Sequence, residues 1–345
     1  MAGLLTNRPG ECRWRRYLAS PMFVHSAQAF REAFRALAPP VSVPPLRGIL
    51  MIRPDGFRLS AQAATDNVYM ASGPVDPERA MAQHAAVAKR LRDCGVTVHD
   101  LPGDPRYPDA TFCNNAFATV RGPHRYSGES HNATAIYGAL RHPDRRGEPD
   151  RDHLRALLHG LGYTHTCEIR TGFTRPPHEN SEYAVGELTG PLVIDHSRRI
   201  GYLGLTNRVD GLGAERMSQA FELQITYAFP LVPTEYHTNV VLAILAGRAA
   251  VIAADGFARR EDAEAIAEVY GDQVLWLTPD QKRAFAGNVL SVGNLLVFMS
   301  QTAADALGDA SLSQLKTWGF EPQAVEIDEL EKGGGSMRCL LCELW

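Results

Sequence analysis

From residue 47 onward, short apolar runs alternate with stretches in which apolar residues recur at helical spacing. Gly48-Ile-Leu-Met-Ile-Arg-Pro54 reads as a buried strand, residues 77–94 as an amphipathic helix, and Val96-Thr-Val-His-Asp-Leu101 as the next strand. Two hairpins stand out. Pro191-Leu-Val-Ile-Asp195 turns over residues 196–199 into Ile200-Gly-Tyr-Leu-Gly-Leu205, and Val240-Val-Leu-Ala-Ile-Leu245 turns over residues 246–248 into the apolar run 249–254. Helices are predicted at 212–221, 261–270 and 311–318. Hairpin, helix and strand recur at about 55 to 65 residues, a period that suggests repeated ββαβ modules although no sequence signature repeats. A doubly wound α/β sheet would instead place single strands between helices.

The chain has 345 residues, of which 45% are hydrophobic and 21% charged, enough for a large core in one domain or two. A formal net charge of -4, with no long basic block, argues against nucleic acid as the main partner and favours a small molecule. The 6 cysteines lack regular spacing, so they form no disulfide framework and suit a reducing compartment, with cytoplasm the default. No apolar run approaches the roughly 20 residues of a membrane helix.

Residues 1–47 differ from the rest. Arginines stand at positions 8, 13, 15, 16, 31, 35 and 47 against only Glu11 and Glu32, and residues 23–37 have an amphipathic helical pattern. That composition resembles an organelle-targeting leader. A disordered N-terminal arm ending in Ala38-Pro-Pro-Val-Ser-Val-Pro-Pro45 is the favoured expectation, with the folded domain spanning 48–345.

Cys339 follows a glycine loop, Gly333-Gly-Gly-Ser-Met-Arg-Cys339, and is expected on a short apolar strand. Cysteine attacks as the thiolate, so it needs a histidine and an acidic partner. His237, in Thr234-Glu-Tyr-His-Thr-Asn239, is the best placed of the 12 histidines because it immediately precedes a buried strand. Taken alone it reads better as a hydrogen-bonded histidine at a strand end than as a catalytic one. Glu187 likewise precedes the first hairpin, in Gly186-Glu-Leu-Thr-Gly-Pro191. Cys342 reads as a packed core thiol rather than half of a zinc or redox pair, since only one Cys-x-x-Cys pair exists. The triple glycine lacks the lysine-serine/threonine ending of a phosphate loop.

Taken in order, Met51-Ile-Arg-Pro54, Pro108-Asp-Ala-Thr-Phe-Cys-Asn-Asn115, Arg145-Arg-Gly-Glu148, Glu187-Leu-Thr-Gly-Pro191, Thr206-Asn-Arg208, Tyr236-His-Thr-Asn239 and Gly333 to Cys339 resemble the landmarks of the pentein, or guanidine-modifying, superfamily. That superfamily includes arginine deiminases, dimethylarginine dimethylaminohydrolases, amidinotransferases and citrulline hydrolases. The resemblance covers nearly everything after residue 48 and implies a five-bladed α/β propeller of ββαβ modules. It places Cys339 on the nucleophile, His237 on the general acid and base, Glu187 on the carboxylate that holds the substrate nitrogens, and Asp109 on an acidic substrate-binding position. Arg145 and Arg208 match arginines that bind a substrate carboxylate, a role suited to their planar forks. No metal or organic cofactor is implied, the partner is a small amino acid, and homo-oligomerisation is left open.

The departures concern charge. Asn115 and Asn239 stand where arginine deiminases carry aspartates, with Asn114 beside the first. Amides meet a ureido oxygen as well as nitrogens, which favours citrulline or arginine over methylated arginine. Turn-capping is the competing role for both asparagines. Leu188 and Pro191 also depart from the usual residues after the glutamate. An amidinotransferase and a non-catalytic pentein-fold binding protein, like the ribosome anti-association factors, are the rival functions. Substrate-closing loops are expected within 124–131 and 168–180.

Overall fold

The computed structural model describes residues 22–43, 45–120, 133–170 and 183–345. Their strands form five small sheets built on one connectivity: an antiparallel pair, a helix, and a third strand parallel to the second. Phe117–Val120 and Thr134–Tyr137 are followed by Asp152–Gly160 and His165–Glu168; Leu192–Asp195 and Ile200–Leu205 by Gly211–Ala220 and Ile225–Pro230. Leu242–Leu245 and Ala249–Ile252 lead through Arg260–Ala267 to Val274–Trp276, and Leu290–Val292 and Leu296–Ser300 through Gln301–Thr317 to Glu321–Val325. The fifth sheet joins distant segments. Cys342–Leu344 pairs antiparallel with Gly48–Ile52, whose other edge takes Val98–Leu101 after the helix Pro77–Asp93.

Local chemistry explains these elements. Pro77–Asp93 starts where Asp76 accepts the amides of Glu78 and Arg79 with proline in the first turn, and it buries Ala80, His84, Val87, Ala88 and Leu91 at helical spacing. Gly48–Ile52 is buried throughout, as an unbroken apolar run requires. Both predicted hairpins form as read. The predicted 311–318 helix is the end of the longer Gln301–Thr317, which contains a non-helical Gly308.

The N-terminal expectation needs correction. Residues 1–21 lie outside the described residues, but Met22–Val24 adds a parallel strand beside Ile225–Tyr227, and Ala27–Arg35 is a packed helix. Phe30 is fully buried and stacks on Tyr227 with ring centroids 4.5 Å apart. Apolar burial of that size draws residues 22–35 into the folded body, so an arm ending at residue 47 is too long. Among the described residues, no helix is long and apolar enough to cross a membrane.

Just before the first strand of each sheet lies a short irregular segment, and these five segments are hydrogen-bonded in a ring. Asn114 and Thr189 exchange two bonds at 3.3 and 3.0 Å, and the Asn239 amide donates to the Gly190 carbonyl at 3.1 Å. Asn288 donates to the Asn239 carbonyl at 2.9 Å, and the Arg338 amide donates to the Asn288 carbonyl at 3.1 Å. The Cys113 thiol closes the ring on the Leu340 carbonyl at 3.4 Å.

Candidate active site

The ring assembles Cys339, His237, Glu187, Asn114, Asn115 and Asn239, all buried. Cys339 lies in a single helical turn, Met337–Leu340, with its amide donating to the Ser336 carbonyl at 3.0 Å. This corrects the strand expectation: the strand is Cys342–Leu344, and the preceding turn is what aims the sulfur. Gly334 allows the approach, having φ of 77° and leaving no room for a Cβ beside the Asn67 amide. Cys342 packs in the core with its thiol against the Phe117 carbonyl.

His237 has extended backbone and presents Nε2 to Glu187 Oε2 at 2.9 Å, while Nδ1 has no hydrogen-bond partner among the described residues. Gly190 makes this possible, because a Cβ there would meet the imidazole and the Asn115 side-chain oxygen. Burial alone would push the Glu187 carboxyl up, but Arg208, followed by the His237 hydrogen bond, holds it well below the ordinary range. His237 is pushed down to about 4 by burial, with Glu187 opposing. The imidazole is therefore neutral near pH 7, with its proton on Nε2. Leu188 has φ of 40°, a strained value for a branched side chain next to Glu187.

The two arginines expected to bind a carboxylate are engaged internally. Arg145 is buried and donates bidentately to Glu148 at 2.7 and 2.8 Å, with further bonds to the Asp109 and Phe112 carbonyls. Arg208 donates to Glu187 at 3.1 Å on one side and grips Asp66 with Nε and Nη2 on the other. His142 Nε2 and Arg141 also approach Asp66, at 3.2 and 3.6 Å. His142 and Arg208 carry the Asp66 carboxyl down to about 2 despite its burial.

Asp66 lies on residues 60–71, which cover the cluster. Asn67 donates to the Gly334 carbonyl at 3.3 Å, the Tyr69 hydroxyl donates to Glu235 at 2.7 Å, and the Ala71 amide donates to the Lys332 carbonyl at 2.9 Å. Cys339 is accordingly only 2% exposed. Of the expected closing loops, 124–131 lies outside the described residues; within the other, Glu168 ends a strand and 171–180 lies outside.

Several enclosed acceptors have no donor among the described residues: Asp109 Oδ1, Asn114 Oδ1, Asn115 Oδ1 and Asn288 Oδ1. Burial pushes the Asp109 carboxyl up to about 7, against the pull of Arg145. Asn239 differs from Asn115, because its oxygen accepts from Asn288 at 3.3 Å and its nitrogen faces the Thr189 carbonyl and Cys339 Sγ. Asn288 was not singled out in the sequence, although it precedes an apolar run just as His237 does; Asp66 carried no comparable local signal. A separate cavity of about 390 Å³ shares Thr189 and Asn239 with the cluster, but Cys339, His237 and Glu187 do not line it. Among the described residues, no three His, Cys, Asp or Glu side chains are grouped to hold a metal ion.

Residues 53–345 match the family described as N,N dimethylarginine dimethylhydrolase, eukaryotic. The N(G),N(G)-dimethylarginine dimethylaminohydrolase of Mycobacterium tuberculosis is 25% identical over 317 residues, covering 92% of each chain. An uncharacterized protein of Aeropyrum pernix is 29% identical over 161 residues, and the match spans about half of either chain, 47% of this one and 50% of that one. In three dimensions the chain is similar to a mutant N-terminal domain of ArgZ bound to substrate, an arginine dihydrolase from the ornithine-ammonia cycle in cyanobacteria. The TM-score is 0.69 at 17% identity, covering 86% of this chain and 97% of that one. A dimethylarginine dimethylaminohydrolase adduct with 4-chloro-2-hydroxymethylpyridine gives a TM-score of 0.62 at 19% identity, covering 87% and 100%. These likenesses establish an α/β pentein-superfamily fold.

Proposed function

Since the chain belongs to the N,N-dimethylarginine dimethylhydrolase family, within the guanidine-modifying superfamily, we propose that it hydrolyses a carbon–nitrogen bond at the guanidino or ureido carbon of a small arginine-like amino acid, with Cys339 as nucleophile. The observation that carries this reading is the cluster itself. An enclosed thiol lies with a histidine paired to a carboxylate and with asparagine and aspartate oxygens that lack donors among the described residues. A planar group rich in N–H bonds supplies what those oxygens need.

In this reading the Cys339 thiol passes its proton to Nδ1 of the neutral His237 as the sulfur attacks the central carbon, and the histidine then gives that proton to the departing nitrogen. Water deprotonated by the same histidine then releases the thio intermediate. Nδ1 is the face of the imidazole open to substrate, because Nε2 is committed to Glu187. Glu187 therefore orients the histidine, with Asp109, Asn114 and Asn115 left to bind substrate nitrogens or oxygen. The ArgZ domain has been solved covalently bound to a reaction intermediate, which supports a covalent course by likeness. We read the five sheets and their ring as a five-bladed propeller whose catalytic body, residues 48–345, carries residues 22–35 on one outer edge.

Arginine and citrulline are the first choice, because Asn115 replaces a charge that would repel a ureido oxygen. Methylated arginine is the second, favoured by the family description and the Mycobacterium tuberculosis relative. Each compound is to be supplied separately, with Cys339→Ala as the control. Ornithine and ammonia from citrulline support the first choice, and dimethylamine from dimethylarginine the second. Turnover that appears only with an added acceptor amine identifies an amidinotransferase. No product under any condition overturns the proposal.

A further inference from the structure

Among the described residues, no cationic side chain is bonded to the Cys339 sulfur, which instead meets two side-chain amides. The Asn288 nitrogen lies 3.4 Å from Sγ and the Asn239 nitrogen 3.8 Å. The orientation of Asn288 follows from its surroundings. Its Nδ2 meets three acceptors, namely the Asn239 carbonyl, Asn239 Oδ1 and Cys339 Sγ, so a flipped amide would set oxygen against all three. Asn239 follows suit, because its oxygen receives from Asn288 and its nitrogen must then face the Thr189 carbonyl and the sulfur. The backbone of Asn288 also holds the turn carrying the nucleophile, accepting the Arg338 amide at 3.1 Å.

We infer that Asn288 is a positioning residue for the nucleophile: its amide donates to the Cys339 sulfur and fixes Asn239 to do the same, so that two neutral amides cradle the thiolate where many cysteine enzymes use a cation. The physical need is clear. Burial pushes the Cys339 thiol up, and the Asn288 hydrogen bond is the foremost influence opposing it. Both groups are fully enclosed, so the bonds act with little solvent screening. The arrangement also divides the labour of the asparagines: Asn239 and Asn288 serve the sulfur, leaving Asn114 and Asn115 for the substrate.

The inference rests on reading Cys339 as the nucleophile, but its test needs no substrate. Alkylation by iodoacetamide, in which the thiolate displaces iodide, is followed at the Cys339 peptide by mass spectrometry from about pH 6 to 11.5 in wild type, Asn288→Ala and Asn288→Asp. The expected result is a rise in the ionisation midpoint of about one unit in Asn288→Ala, equivalent to roughly tenfold slower alkylation at pH 7, with rates converging at high pH. Asn288→Asp, which keeps the shape and adds a negative charge, is expected to shift further. It carries the test if the alanine variant does not fold. Midpoints equal to wild type in the folded variants overturn the inference, including when rates fall uniformly at all pH values. A shifted midpoint in a protein that turns over no guanidino or ureido compound sustains the inference and removes the proposed function.

Discussion

Glu187 accepts the Nε2 proton of His237 at 2.9 Å, and neither side chain has any exposed surface. The contact fixes the tautomer, since the carboxylate is kept ionised by Arg208 and also receives the Arg141 backbone amide at 3.1 Å. Glu187→Gln keeps the shape and removes the anion. We expect kcat to fall by about 10³- to 10⁴-fold, as when a histidine loses its orienting carboxylate. Unfolding free energy should drop by about 3 kcal/mol, because Arg208 loses a buried partner. Steady-state kinetics with urea unfolding checks both, and an active glutamine variant would dismiss the orienting role.

Arg145 offers a separation of two roles. If its guanidinium serves the fold through Glu148, Arg145→Met should cost about 3–5 kcal/mol of stability, and the joint change with Glu148→Leu should recover much of that loss. Denaturant titration of the single and double variants measures this. A stable Arg145→Met protein with a raised KM would instead return the residue to the substrate.

Asp66 occupies the Nε and Nη2 edge of Arg208, which a substrate carboxylate would have to share if Arg208 binds one, as the sequence resemblance implies. Asp66→Asn should speed amide exchange across residues 60–71 by about tenfold, corresponding to roughly 1.4 kcal/mol less local protection. It should also lower KM with kcat little changed. Unchanged exchange would mean that Asn67 and Tyr69 hold the segment alone, and a raised KM would mean that Asp66 itself meets the substrate.

Two buried groups tilt stability against pH in opposite directions. Asp109 has its folded pKa pushed up to about 7, above the unfolded value near 3.9, so its favourable contribution is complete below the lower value and lost as pH rises to 7. His84 is pushed down to about 4 by burial, below the unfolded value near 6.5, so its contribution is complete above 6.5 and lost as pH falls to 4. Relative to wild type, Asp109→Asn should therefore gain stability between about pH 4 and 7, while His84→Gln should gain between about 6.5 and 4. Urea unfolding at several pH values reads the two slopes, and parallel slopes would refute the assignment.

The strands and hairpins were legible because burial on both faces demands unbroken apolar runs, as in Gly48–Ile52 and Leu242–Leu245. His237 and Glu187 were legible because each precedes such a run. Asn288 obeys the same rule but passed unnoticed, since an amide has no chemistry that marks it until the sulfur beside it is seen. Asp66 was illegible for a different reason: its partners Arg208 and His142 come from distant segments, and nothing periodic surrounds it. Cys339 was misplaced because residues 339–344 are almost all apolar, and such a short run does not distinguish one helical turn from a strand. The Arg145–Glu148 pair could have been anticipated from its spacing of three, which sets side chains side by side in a helical turn.

The pairing of Cys342–Leu344 with Gly48–Ile52 bears on how the molecule folds. Three sheets are assembled wholly from neighbours along the chain and a fourth takes only the edge strand Met22–Val24 from afar, whereas the fifth must build its antiparallel pair from segments at opposite ends of the described body. Such a contact is entropically costly and slow to form. The turn before Cys342 gains its tie to Asn288 only once that closure is made, so a half-folded chain offers an ordinary thiol. Enclosure of the Cys339 thiol thus reports completed folding, and the rate at which refolding protein loses rapid alkylation at Cys339 would time the last step of its assembly.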